Sequence, residues 1–161
     1  MKLLVPAILL LMLISVQVYS ESADLILIEK SKRRLTLYSG EKAIGSYPIS
    51  LGFEPEGAKL CEGDGKTPEG LYRISVKNPM SSYHLSLGIS YPNKDDRRAS
   101  MAAGCPPGGD IMIHGLPPKY SWARRLHLLI DWTAGCIAVT NRDIEEIWEL
   151  TPVNTKVRIE P

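Results

Sequence analysis

Short apolar runs separated by turn-forming residues set the pattern of this chain. Residues 24–29 and 34–38 flank a basic link through Lys30, Lys32 and Arg33, which suits a hairpin, and residues 42–51 continue with β-branched and aromatic side chains. An antiparallel meander of three strands is predicted. Residues 63–70 break the pattern with Gly63, Gly65, Pro68 and Gly70, and residues 71–76 resume the alternation of a strand buried on one face. Further strands are predicted over 85–91, 110–114 and 157–160, and a helix over 119–130. A second helix starts at Thr140 or Asn141, either of which can cap it. Asp143 and Glu145 lie in its first turn, and Ile144, Ile147 and Trp148 recur at helical spacing. Its apolar face is expected beside the strand that starts at Cys136. These elements predict a mainly β, α+β domain of antiparallel or mixed sheets with a few short helices.

Composition narrows this to one core. A chain of 161 residues with 44% hydrophobic and 23% charged content suits a single domain, taken as residues 21–161. Residues 1–20 differ from the rest: Lys2 precedes an apolar run over 3–14, and residues 15–20 turn more polar. They read as a secretory signal peptide cleaved after Ser20, with Val18 and Ser20 at the recognition positions, which predicts an exported protein. The alternative is an uncleaved anchor. The run is short of the ~20 apolar residues a spanning helix needs and contains Pro6, so no membrane span is expected after cleavage. Removing residues 1–20 takes away one lysine and no acid, leaving 18 basic against 18 acidic residues. That balance gives no footprint for nucleic acid.

Export permits disulfides and leaves one of the three cysteines over. Cys61 and Cys105 lie in Gly-rich loops and are the natural pair. Cys136 stands at the head of an apolar run, and His114 ends another. A thiol and an imidazole brought together suit nucleophilic catalysis, because the thiolate attacks while the imidazole takes up and returns a proton. Two plainer readings stay open on spacing alone: Cys136 as a small buried hydrophobe or partner of Cys105, and His114 as a core histidine at a strand end. Asp131 is equally readable as a third catalytic member or as a turn-capping residue. Gly65-Lys66-Thr67 does not complete a phosphate-binding loop, since Leu60 stands where glycine is needed and Pro68 blocks the helix. His84, His114 and His127 have no metal-ligand spacing. No metal and no cofactor are expected.

The order Gly65-x-Thr67-Pro68-x-Gly70-x-Tyr72, then Ile113-His114-Gly115, then Thr133-Ala134-Gly135-Cys136-Ile137 resembles the L,D-transpeptidase catalytic domain family of bacterial cell-wall enzymes. Ser90-Tyr91-Pro92-Asn93 and the stretch from Gly135 to Asn141 resemble one small periplasmic branch of it. The resemblance implies Cys136 as nucleophile and His114 as base and proton carrier, with the Gly115 carbonyl fixing the imidazole tautomer. It implies backbone amides of Gly135 and Cys136 at the oxyanion, with Thr133 steadying that turn. The implied partner is a peptidoglycan stem peptide, whose diamino-acid carbonyl is attacked with loss of D-alanine. The acceptor is then an amine of another stem, a lysine of an envelope protein, a free D-amino acid or water.

Two departures from the family pattern bear on specificity. Ala134 replaces a common histidine, and Ala138 replaces an arginine or asparagine, so a substrate-carboxylate contact is missing. Arg142, Arg124, Arg125, Arg97 and Arg98 are the candidates to replace it, since a guanidinium fork matches a carboxylate. Tyr91 and Trp132 are candidate cleft residues, as are Tyr72 and Trp122, against the plainer reading that each packs in the core or rim. Three functions remain: an acyltransferase on stem peptides, a hydrolase using the same thiol, and a catalytically silent wall-binding domain.

Overall fold

The computed structural model describes residues 21–161. The signal-peptide expectation for residues 1–20 lies outside the described residues. Eight strands form one mixed sheet: β1 (Leu25–Glu29), β2 (Arg34–Ser39), β3 (Lys42–Pro48), β4 (Gly70–Ser81), β5 (His84–Ile89), β6 (Met112–His114), β7 (Ile137–Ala138) and β8 (Lys156–Glu160). Their order is β3-β2-β1-β8-β4-β5-β6-β7. Two pairs are parallel, β1 with β8 and β6 with β7, and the remaining neighbours are antiparallel. The closing strand therefore joins the N-terminal meander to the half of the sheet that carries the cysteine and the histidine.

Alternation decides which side of each strand is buried. Ile26 and Ile28 of β1, Leu35 and Leu37 of β2, Tyr72 and Ile74 of β4, and Val157 and Ile159 of β8 all enter the core. Helix α2 (Asn141–Leu150) adds Ile144 and Ile147 to that core and packs against β5 and β6. Thr140 is its cap, accepting from the Asp143 N–H at 3.1 Å. Burying one side chain of this size contributes roughly 1.5–3 kcal/mol, so the two isoleucines suffice to hold the helix on the sheet.

Three expectations change. The helix expected over 119–130 is instead two 3-10 turns, Pro118–Ala123 and Leu126–Leu129, separated by Arg124 at φ 47°. Trp122, Leu126, Leu129 and Ile130 are all exposed, so no common apolar face is buried to sustain a longer helix. The run expected as one strand over 42–51 divides after Pro48, and Ser50 and Gly52 leave β3 to bridge Ala138 and Thr133. Helix α1 (Lys94–Ala102) was not expected from apolar spacing, because only Ser100 in it is buried. A capping box starts it, with Asn93 and Asp96 each accepting the other's backbone N–H.

Candidate active site

The loop before β7 is clamped from both sides. Ile113 of β6 pairs with Ile137 and His114 with Ala138. On the other side, Ser50 and Ala138 exchange backbone hydrogen bonds of 2.9 Å, and Thr133 accepts from the Phe53 N–H at 2.9 Å. Thr133 Oγ1 donates to the Cys136 carbonyl at 2.7 Å and accepts from the Gly135 N–H at 3.1 Å, which closes the turn. Gly135 is at φ 135°, and a Cβ there would lie 2.6 Å from the Lys66 carbonyl. Only glycine permits this approach. The Gly65-Lys66-Thr67 segment thus forms the back wall of the cysteine loop. Lys30 holds that wall: its buried ammonium donates to the carbonyls of Gly57 at 2.6 Å and Thr67 at 3.1 Å, and to Glu69 at 2.7 Å.

Register sets the geometry of the thiol and the imidazole. Because Ile137 pairs with Ile113, extending the register one residue puts Cys136, just before β7, opposite Met112 and two positions from His114. His114 is buried, and its Nδ1 lies 2.7 Å from the Gly115 carbonyl oxygen. A carbonyl only accepts, so Nδ1 carries the proton and Nε2 keeps a lone pair. Gly115 has no room for a side chain, since a Cβ would sit 2.6 Å from Asn141 Oδ1, which also accepts from the Leu116 N–H at 2.6 Å. The start of α2 therefore fixes the turn that fixes the imidazole. Tyr83 covers the ring at 4.4 Å between centroids, and Trp132 meets it edge-on at 5.9 Å.

Burial disfavours the charged form of both Cys136 and His114. Burial pushes the Cys136 thiol above its ordinary value; the Met112 N–H opposes this, the Asp110 charge adds to it, and Lys59 opposes it. Burial likewise pushes His114 below its ordinary value, against the Gly115 hydrogen bond and together with nearby His127. The thiol donates to the Asp110 carbonyl at 3.4 Å. Both shifts favour the neutral thiol and the neutral imidazole over a preformed ion pair.

Cys61 and Cys105 are joined by a disulfide, and Cys136 is free. A sequence profile of the L,D-transpeptidase catalytic domain, known as YkuD, matches residues 23–159.

The chain belongs to the L,D-transpeptidase catalytic domain family.

It is similar to YafK of Escherichia coli strain K12, at 33% identity over 127 residues, 74% of this chain and 44% of that protein. Among solved structures, the helical cell shape determining protein Pgp2 of Campylobacter jejuni shares 30% identity at a TM-score of 0.68, covering 88% of this chain and 49% of that one. An L,D-transpeptidase from Mycobacterium smegmatis superposes with a TM-score of 0.56 over 85% of this chain and 58% of that one; at 13% identity it shares the fold. The chain spans about half the length of YafK and Pgp2.

Other residues of this L,D-transpeptidase domain depart from what the sequence suggested. The Gly135 N–H, expected at the oxyanion, is taken by Thr133 Oγ1 because the turn needs that bond to close. Among the described residues, the Cys136 N–H has no protein acceptor. Asp131 is not a third catalytic member: it pairs with Arg33 at 2.7 Å and accepts from the Leu51 N–H at 2.8 Å. Tyr91 is buried, with its hydroxyl on the Pro107 carbonyl at 2.8 Å, so it packs rather than presents its phenol. Arg142 is exposed at the start of α2 and lines a groove of about 1000 Å³ that includes neither Cys136 nor His114.

Apolar patterning missed three charged or aromatic neighbours. Lys59 is buried and pairs with Asp64 at 2.8 Å, in the loop that holds Cys61. Asp110 stands at φ 54° beside the thiol. His127 lies edge-on to Trp132 at 6.1 Å, with both ring nitrogens buried and without a partner among the described residues. A positively charged or acidic residue within a few positions of each cysteine was the only available signal for the first two.

Proposed function

We propose that this chain is a cysteine-dependent acyltransferase acting on peptidoglycan stem peptides, with Cys136 as nucleophile and His114 as base. The observation that carries this reading is the β6–β7 register together with the His114–Gly115 bond. The first puts Cys136 within two positions of His114 across neighbouring strands, and the second leaves Nε2 as the unprotonated nitrogen, which supports the reading.

Substrate binding draws the thiol from Asp110 toward Nε2, since catalytic hydrogen bonds tighten in the substrate complex. Nε2 accepts the thiol proton as the S–C bond forms at the carbonyl of the diamino acid. The resulting oxyanion meets the Cys136 N–H, a donor that needs no rearrangement to receive it. The imidazolium then returns its proton to the departing D-alanine nitrogen as the C–N bond breaks, leaving a thioester. An acceptor amine or water attacks that thioester, and the proton passes through Nε2 again.

Transfer to an amine gives a cross-linked or anchored product, and transfer to water gives a trimmed stem. Incubation of purified protein with tetrapeptide muropeptides, followed by mass spectrometry, distinguishes them: released D-alanine with a dimer supports transfer, and a trimmed monomer supports hydrolysis. Unchanged substrate contradicts both.

A further inference from the structure

A cleft of about 320 Å³ opens between the β4–β5 hairpin and α1, with Ser90, Tyr91, Arg97, Asp110 and Met112 on its walls. Asp110 and Met112 also flank the thiol, one through its carbonyl and the other through its N–H. The cleft therefore starts where the chemistry occurs. The larger groove holds three arginines, Arg124, Arg125 and Arg142; neither lining includes Cys136 or His114, but only the cleft's includes the two residues that hydrogen-bond the thiol.

We propose that this cleft is the subsite for the free amino-acid head of the substrate, with Arg97 binding its α-carboxylate and Asp110 its ammonium. The proposal rests on the stem-peptide reading above. It makes Arg97 the specificity residue that stands in for the arginine missing at Ala138.

Arg97 is uncommitted. Arg33, Arg34, Arg98 and Arg158 each pair with a carboxylate, whereas among the described residues the Arg97 guanidinium has no hydrogen-bond or ion-pair partner. The two acids nearest in sequence are engaged elsewhere: Asp96 accepts from the Tyr72 hydroxyl at 3.1 Å and the Asn93 N–H at 2.8 Å, and Asp95 faces Arg98. A planar guanidinium with free donors fits a carboxylate in two parallel bonds.

Its mounting is rigid, as a recognition residue requires. The capping box fixes the start of α1, and beyond its end the Cys105 N–H donates to the Ser100 carbonyl at 3.1 Å. Cys105 is in turn tied to Cys61. On the opposite wall the Asp110 carboxylate has no hydrogen-bond donor among the described residues. A cleft with one free guanidinium and one free carboxylate matches a zwitterion better than a simple anion. An ammonium seated at Asp110 also screens the charge that disfavours the thiolate, so occupancy of the cleft favours attack.

The test compares three synthetic stem tetrapeptides that differ only in the third residue: meso-diaminopimelate, its amidated form, and L-lysine. Wild-type protein is expected to favour the free carboxylate, and Arg97→Ala to lose on the order of 10²-fold in kcat/KM on that stem alone, the value of one charged hydrogen-bonded pair. Arg97→Lys should recover part of the preference, and Arg98→Ala should keep it all. Binding of the same stems to Cys136→Ala protein and to the Cys136→Ala/Arg97→Ala double variant, by calorimetry, separates the subsite from the reaction. Selective binding lost with Arg97, without turnover by wild type, keeps the subsite and removes the acyltransfer reading. Equal binding of all three stems by both proteins, or binding of none, overturns the subsite.

Discussion

The Nδ1 of His114 lies 2.7 Å from the carbonyl oxygen of Gly115, its own neighbour in the chain. In the proposed site this bond takes the place of the carboxylate that orients histidine in many nucleophile–base pairs. A carbonyl holds the tautomer without adding a negative charge, and burial then leaves His114 below its ordinary value. As the proposed base, His114 acts when neutral. The acid limb of kcat/KM is accordingly expected below pH 6.5, the ordinary histidine value, with activity lost as pH falls through the His114 titration. A limb centred above pH 7 would show that the imidazole is not held as described.

Gly135 permits the cysteine loop to lie against the Lys66 carbonyl. Gly135→Ala is expected to cost about 1–3 kcal/mol from backbone strain alone, with further loss from the 2.6 Å contact. Thermal unfolding measures the first effect. Alkylation of Cys136 by iodoacetamide, compared between the two proteins, measures the displacement of the thiol.

Asp64 accepts from buried Lys59 and from the backbone N–H groups of Leu60, Cys61 and Lys66. Burial alone would raise its carboxyl, but these donors outweigh it and hold Asp64 at about 2. Its folded value lies below the unfolded one, so its stabilisation is complete above the ordinary aspartate value of ~3.9 and disappears as pH falls toward about 2. Asp64→Asn removes the carboxylate partner of Lys59, leaving its ammonium on the Cys61 carbonyl at 3.0 Å, and is expected to cost about 3 kcal/mol at neutral pH. Chemical denaturation of both proteins between pH 2 and 7 should show the gap closing at the acid end.

The Cys61–Cys105 disulfide spans 44 residues and closes the segment containing β4, β5 and α1. Its removal by Cys61→Ser/Cys105→Ser is expected to cost about 2–4 kcal/mol. Hydrogen exchange should locate the loosening in α1 and the 59–66 loop rather than in β1 and β2. Uniform loss across the sheet would contradict this.

The strands were legible in the chain because alternation reports one buried face, which Ile26, Ile28, Leu35 and Leu37 follow, with Thr36 buried between the last two. Trp122, Leu126, Leu129 and Ile130 misled because they are apolar yet remain exposed, so their spacing reflects no packing partner. Helix α1 was hidden for the opposite reason: its polar sequence buries only Ser100, and its visible signal was the Asn93–Asp96 cap. Cys136, His114 and Gly115 could be singled out because each sits in a short local motif. Lys59 and Asp110 could not, since only the strand order and the loop crossing behind Cys136 bring them near it, and neither could His127, which reaches His114 and Trp132 only through the fold. Arg97 was one arginine among five until the cleft beside Asp110 distinguished it.

The central claim is that Cys136 carries the acyl group. Rapid acid quench of the protein with a diaminopimelate tetrapeptide stem, followed by proteolysis and mass spectrometry, tests it directly. A stem-derived thioester on the peptide containing Cys136, lost in Cys136→Ala together with D-alanine release, is the expected result. D-alanine release that persists in Cys136→Ala would contradict it.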